Sequence, residues 1–213
     1  MKNNETGRSM VEMLGVLAII GVLSAGGLAG YSKAMFKHKL NSTMDQITML
    51  VTNIRTMYGT QGNYAGLNGG TAYDLGIVPA VMAEDSRKTE TVNGESTTTG
   101  SVSLTNPFKG SVDIITADAT DKKAGTTAFI ISYDSLPQEA CIALAPADFG
   151  SGAGSGFIGV QIFPNKTVSD ATATAVDRKI GSGEGQAYDI DGATADSTGC
   201  AAGSKNTVAW KFY

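Results

Sequence analysis

Histidine is nearly absent. His38 is the only one in 213 residues, which removes the commonest general base and the commonest metal ligand. Cysteine is almost as scarce: Cys141 and Cys200 leave room for one bridge and exclude a disulfide-dense miniprotein. Charge is thin at 17% of residues, against an ordinary share of about 25%. The 16 Lys+Arg against 20 Asp+Glu give a net charge of -4, so the basic surplus that a nucleic-acid binder needs is missing. No proline precedes Pro79. No nucleophile–base pair stands out, so an enzyme is not expected, and neither is a cofactor. With 42% apolar residues and 27 glycines the chain is not disordered. Its length suits one domain, alone or with an appendage.

What the chain does have is one long uncharged run, residues 13–32 (MLGVLAIIGVLSAGGLAGYS). At 1.5 Å per residue it makes a helix of about 30 Å, the thickness of a bilayer core. Glu12 stands at its mouth, with Arg8 and Lys2 before it. Three readings compete. A cleaved secretory signal would exit at Ser24-Ala25-Gly26, but an acid at the start of the run does not suit it. A plain transmembrane anchor is the second. The third rests on a resemblance carried by the residues just before the run.

The residues Gly7-Arg8-Ser9-Met10-Val11-Glu12 followed by an unbroken apolar helix resemble the cleavage site of type IV prepilins. The resemblance implies a leader at 1–7 and a cut between Gly7 and Arg8 by a prepilin peptidase, followed by methylation of the new amine. The first mature residue is usually Phe in that family; here it is Arg8. A carboxylate costs on the order of 3 kcal/mol at the bilayer centre and less at its edge. Glu12 either stays wet at headgroup level or meets a cation. The resemblance supplies that cation as the freed amine of a neighbour's first residue, beside which the Arg8 guanidinium would lie. Lys33, Lys37 and Lys39 outnumber Lys2 and Arg8, which by the positive-inside rule mildly favours the opposite orientation. The cysteines and the polar remainder of the chain favour an oxidising, external side.

Beyond Tyr31 the apolar residues become periodic. Phe36, Leu40, Met44, Ile47, Val51, Ile54 and Tyr58 recur at steps of three and four, one stripe of a helix. Lys33, Lys37, Lys39, Asp45 and Arg55 lie off it. Gly59 and Gly62 then stop the helix. The spacing predicts one helix over 8–58, far longer than the ordinary helix, with 13–32 in lipid or a filament core and the rest packed on a globular domain at 59–213. Gly15, Gly21, Gly26, Gly27 and Gly30 interrupt the apolar half. Gly26-x-x-x-Gly30 fits close helix–helix contact; a stretch that melts on leaving the membrane is the alternative.

The remainder reads as α+β. A short helix is expected near 73–83 and a hairpin turn at Asn93-Gly94; residues 84–104 are otherwise without a clear assignment. Strands are expected at 112–116, 126–133, 157–163 and 207–213, antiparallel and packed on the long helix. A helix opened by Pro137 is expected at 136–145. The polar stretch 167–205 reads as surface loop. Cys141 and Cys200 are either two buried thiols or one disulfide, and closing so long a loop stabilises a fold by roughly 4 kcal/mol. Asp189-Ile190-Asp191-Gly192 with Asp196 does not fit a calcium loop, so no metal is expected. Gly150–156 lacks the Lys-Ser/Thr of a phosphate loop. Asn41-Ser42-Thr43 and Asn165-Lys166-Thr167 match a glycosylation pattern. His38, among lysines, reads as solvated.

Asn106-Pro107-Phe108-Lys109-Gly110, Leu136-Pro137-Gln138-Glu139-Ala140-Cys141, Cys200 and Tyr58-Gly59 with Gly62-Asn63-Tyr64 are similar to the type IVb major pilins, the group of the toxin-coregulated and bundle-forming pilins. That resemblance implies a Cys141–Cys200 disulfide and a homo-oligomeric helical filament. It also implies a precursor in the inner membrane, an assembly machinery as partner, and an extracellular pilus serving adhesion, aggregation, motility or uptake. A type II secretion pseudopilin and a membrane-anchored periplasmic binding protein or enzyme are the rivals.

Overall fold

The protein is described from a computed structural model. It covers residues 6–92, 95–119, 125–147, 149, 156–164, 199–203 and 205–213, with side chains described from Met10 onward and not at 90–97. The Asn93-Gly94 turn, the acidic group at 189–196, most of the Gly-rich turn at 150–156 and nearly all of 167–205 lie outside these residues. So does Asn165.

Helix α1 runs Thr6–Tyr58, starting two residues before the expected Arg8. The chain divides into two compact units, Met1–Asn41 and Ser42–Tyr213. In the first, every side chain from Met10 to Ala34 is exposed. Val22 reaches 75% and Leu23 68%. By length and composition this helix can cross a membrane.

In the second unit, the α1 residues from Ser42 onward lie on a sheet. Ile47, Leu50, Val51, Ile54 and Tyr58 are buried, and so is Thr43. The expected stripe held Ile47, Val51, Ile54 and Tyr58 but not Leu50 or Thr43. A flat sheet covers a wider arc of helix than a single seam does. Gly59 ends the helix where a Cβ would stand 2.7 Å from the Arg55 carbonyl oxygen, and Gly62 takes the left-handed conformation at φ 68.

Among the described residues eight strands follow. They are β1 (Ala83–Asp85), β2 (Lys88–Val92), β3 (Glu95–Thr99), β4 (Val102–Thr105), β5 (Ser111–Ala117), β6 (Ala128–Leu136), β7 (Phe157–Phe163) and β8 (Asn206–Phe212). Six of them form one sheet in the order β1-β4-β5-β6-β8-β7, and β2 and β3 pair separately. All pairs are antiparallel. The four expected strands are β5 to β8, displaced by at most three residues. β6 and β8 are buried on both faces. Alternation is therefore weak and the strands read as near-continuous apolar runs. The α1 side carries Ile131, Tyr133, Trp210 and Phe212. Tyr64 bridges helix and sheet, its ring 5.8 Å from Tyr58 and 4.8 Å from Phe129.

The expected helix at 73–83 is a correction. The helix there, α2, is Gly69–Asp74, followed by a single 3-10 turn at Ala80–Met82. Asn68 caps α2 by accepting from Thr71 N at 3.0 Å. Pro79 cannot donate within a helix, so the buried Ile77 and Val78 are carried by irregular chain, anchored where Asn53 Nδ2 donates to Ile77 O at 2.8 Å, and the buried Met82 by the 3-10 turn. Helix α3 is Gln138–Leu144 with Pro137 at its cap, close to expectation.

β1 and β4 continue into β2 and β3 through an irregular step where Ser86 and Ser101 bond each other's backbone. Arg87 holds this step. Its Nε and Nη2 donate to the Asp85 carboxylate at 2.9 Å each, and Nη1 and Nη2 to that of Asp74 at 3.1 and 2.8 Å. The guanidinium also lies over Tyr73, 5.5 Å from the ring centre. Its side-chain hydrogen bonds hold Asp85 below the usual carboxylate range. A carboxyl depressed in the folded state contributes stability above its unfolded pKa of about 3.9 and loses it as pH falls through the lowered value. Arg87→Ala should speed amide exchange across β2 and β3 at neutral pH and leave β6 and β8 unchanged. Wild type should approach the variant only at strongly acid pH.

Candidate functional site

Two regions stand out. The first is the exposed stretch of α1. Glu12 is exposed there, among Met10, Val11, Met13 and Leu14. Gly7 and Arg8 lie in the first turns of α1. A Cβ added at Gly15, Gly21, Gly26, Gly27 or Gly30 would meet nothing within 4 Å. The subunit itself therefore does not require glycine at these places. His38 is exposed, and the Asn41-Ser42-Thr43 pattern sits within α1 with Thr43 buried. Among the described residues no group of acids, histidines or cysteines has metal-binding geometry.

The second region is the disulfide-closed end of the sheet. Cys141 on α3 is bonded to Cys200, 59 residues on, with Cα atoms 5.9 Å apart. Both are buried, so the cysteine-bearing end of the expected surface loop is interior. Hydrogen bonds reinforce the bridge: Gln138 N donates to Gly203 O at 3.0 Å and Gln138 Nε2 to Cys200 O at 3.1 Å. Asn206, fully buried, accepts from Ala201 N at 2.8 Å and donates to Ala201 O at 2.9 Å and Leu136 O at 3.2 Å. It staples strand to loop. Nothing in the sequence singled it out, since a lone Asn ahead of an apolar run is indistinguishable from a turn residue.

Asn106 is a comparable staple, and its Asn-Pro-Phe-Lys-Gly context was visible. Its side chain donates to Asp134 O at 2.7 Å and accepts from Phe108 N and Gly110 N. Asp134 O stands so close to Gly110 that any Cβ there would collide with it.

Arg55 completes this region. Its Nε donates to Tyr213 O at 3.1 Å and its guanidinium lies 5.6 Å from the Phe212 ring centre. Burial lowers its pKa, against smaller raising effects of Tyr64 and Tyr213. Tyr213 N in turn donates to Gly156 O at 2.8 Å.

A family model described as Bundlin matches residues 33–213. The chain belongs to the Bundlin family. The matched region spans the whole disulfide-closed sheet but not the residues around Glu12. Curated relatives include the "Major structural subunit of bundle-forming pilus" of Escherichia coli O127:H6 (strain E2348/69 / EPEC), 25% identical over 183 residues, covering 82% of this chain and 84% of the relative. The protein of the same name from Escherichia coli O111:H- is 26% identical over 154 residues, 71% of this chain and 69% of that one. Among solved structures, TcpA, a type IV pilin from Vibrio cholerae El Tor biotype, superposes with a TM-score of 0.51 at 18% identity, covering 83% of this chain and 99% of that one. It shows the fold: a long helix packed on an antiparallel sheet. Members of the Bundlin family such as these relatives are structural subunits, in agreement with the expectation that the chain is not an enzyme.

Proposed function

We propose that this chain is a pilin, a structural subunit that polymerises through α1 into a type IV pilus. The observation that carries this reading is the exposed stretch from Met10 to Ala34, which holds Glu12 as its only charged residue until Lys33. Such a surface is not stable in water as a monomer; it calls for lipid or for copies of itself. The precursor waits in the inner membrane with 13–32 in the bilayer. A prepilin peptidase removes 1–7, and the assembly machinery moves the subunit from lipid to filament. There the apolar helices bundle and residues 59–213 face the outside of the cell. Glu12 then meets the amine of a neighbour's Arg8. The relatives' names support a pilus subunit over a pseudopilin.

Processing gives a direct test. Gly7→Arg blocks the only cut site of this type, so the variant should accumulate as a precursor seven residues longer and form no filaments. Intact-mass measurement of membrane and surface fractions reads this. A wild-type protein beginning at Met1, or after Ser24-Ala25-Gly26, overturns the reading.

A further inference from the structure

Three lysines follow the apolar run of α1 directly: Lys33, Lys37 and Lys39, with His38 among them. Lys33, Lys37 and His38 are exposed, and Lys39 is half-buried. No acid lies between Glu12 and Asp45 in the sequence, so this stretch of α1 carries cations and no carboxylate of its own. The run ends as a helix leaving hydrocarbon should. Ser32 donates its hydroxyl to Leu28 O at 3.0 Å, so the polar side chain just before the lysines is satisfied within the helix, as lipid requires. Tyr31, 64% exposed, stands where an aromatic ring marks the edge of a bilayer. From Lys33 to Lys39 the helix rises about 9 Å, comparable to the headgroup layer on one side of a bilayer, roughly 5–8 Å.

The arrangement around the axis decides what meets these cations. At about 100° per residue, Lys37 lies about 40° from Lys33, His38 about 100° further and Lys39 about 100° beyond that. The basic residues ring the helix. A protein partner takes a helix by one face, whereas a layer of headgroups meets it on all sides. A second copy at the same depth presents the same lysines, and like charges at one level repel. Lysine also suits a fluid layer of phosphates. Its ammonium is a point charge with three rotatable donors on a flexible stem, and the stem can lie on apolar surface while the head stays in water.

We propose that Lys33, Lys37 and Lys39 form a collar that binds the phosphates of anionic lipids while the subunit waits in the membrane, in the leaflet at that end of the span. The inference rests on the membrane stage of the pilin reading and adds to it a lipid class and a depth. Lys33 sits at the hydrocarbon edge and Lys39 at the outer limit of the headgroups. Anionic lipid attracts basic side chains only within about a Debye length. The collar therefore holds residues 13–32 in the bilayer core and resists their displacement along the helix axis. It also gives a role to three lysines that the positive-inside rule would place on the opposite side.

The test uses the full chain reconstituted in vesicles of mixed phosphatidylcholine and phosphatidylglycerol, with a trace of either lipid spin-labelled on its acyl chain. Electron paramagnetic resonance reads the motionally restricted fraction, which is the lipid in contact with the helix. Wild type should restrict phosphatidylglycerol several-fold more than phosphatidylcholine, and molar salt should bring the ratio near one. Lys33→Gln/Lys37→Gln should lower the ratio by at least half with the Tm of the globular domain unchanged, and Lys33→Arg/Lys37→Arg should keep it. Lys2→Gln, at the other end of the span, should leave most of it. A wild-type ratio near one overturns the collar, as does a ratio that neither salt nor Lys33→Gln/Lys37→Gln lowers. Should the glutamine variant fail to insert, the salt dependence of wild type decides. A wild-type chain that does not enter the bilayer at all strikes the membrane stage of the pilin reading, and the collar with it; one that inserts without lipid preference strikes the collar alone.

Discussion

Glu12→Val should give a subunit that inserts in the membrane, loses residues 1–7 and folds, yet accumulates as mature monomer with filament yield down by more than tenfold. In an apolar bundle a carboxylate is tolerated only beside a cation. Removing one partner of a buried pair costs about 3–5 kcal/mol, because the other charge is left without compensation. Valine removes the burden on its own subunit but leaves a neighbour's amine in the apolar core. It also removes the signal that sets the register between helices, the best-attested use of a buried pair. Arg8 sharpens the test. If its guanidinium shares the Glu12 carboxylate, Arg8→Phe should weaken assembly although it places the family's usual residue there; if Arg8 stays at the headgroups, Arg8→Phe should assemble as well as wild type or better. Filament yields of Glu12→Val, Arg8→Phe and the double variant read the coupling. Normal piliation in Glu12→Val refutes the pairing.

Cys141→Ser or Cys200→Ser should lower the stability of the globular unit by about 4 kcal/mol, the loop-closure contribution for a bridge of this span. For a domain whose total stability is roughly 5–15 kcal/mol, that is a large share. The loss should be local at first. Gln138 and Asn206 hold the same junction by hydrogen bonds, but they cannot restrict the unfolded chain as a covalent bridge does. Denaturant titration of the two serine variants should give the same shift in midpoint, since either removes the same bridge. Surface filaments should fall with it. Two reactive thiols in the intact, unreduced wild type contradict the bridge.

The outline of this fold was readable in the sequence where one force dominated. α1 was legible because lipid-scale apolarity and a helical stripe met in one segment with Gly59 at its end. β6, β7 and β8 were legible because burial on both faces turns strands into dense apolar runs, and β5 because its burial alternates. Legibility failed where backbone and polar groups decide. At 73–83 the apolar spacing suggested a helix, but Pro79 and the Asn68 cap move the helix upstream. β1 and β4 carry Ser, Thr and charged residues with little burial apart from Leu104, so no apolar pattern marks them. Leu50 was missed by a stripe drawn one seam wide, and Thr43 because its burial contradicts its polarity. In the candidate site, Gly7, Arg8, Glu12 and the two cysteines came from motif and spacing. Arg55 and Asn206 did not, because each gains its contacts from chain brought beside it by folding.

We propose that α1 is cut at Gly7 and bundles with its copies. The most direct measurement is mass spectrometry of surface filaments sheared from cells and verified by electron microscopy. Filaments composed of this chain are expected, each copy beginning at Arg8, its amine methylated and its two cysteines joined. Filaments that lack the chain, or a surface chain still carrying residues 1–7, contradict it.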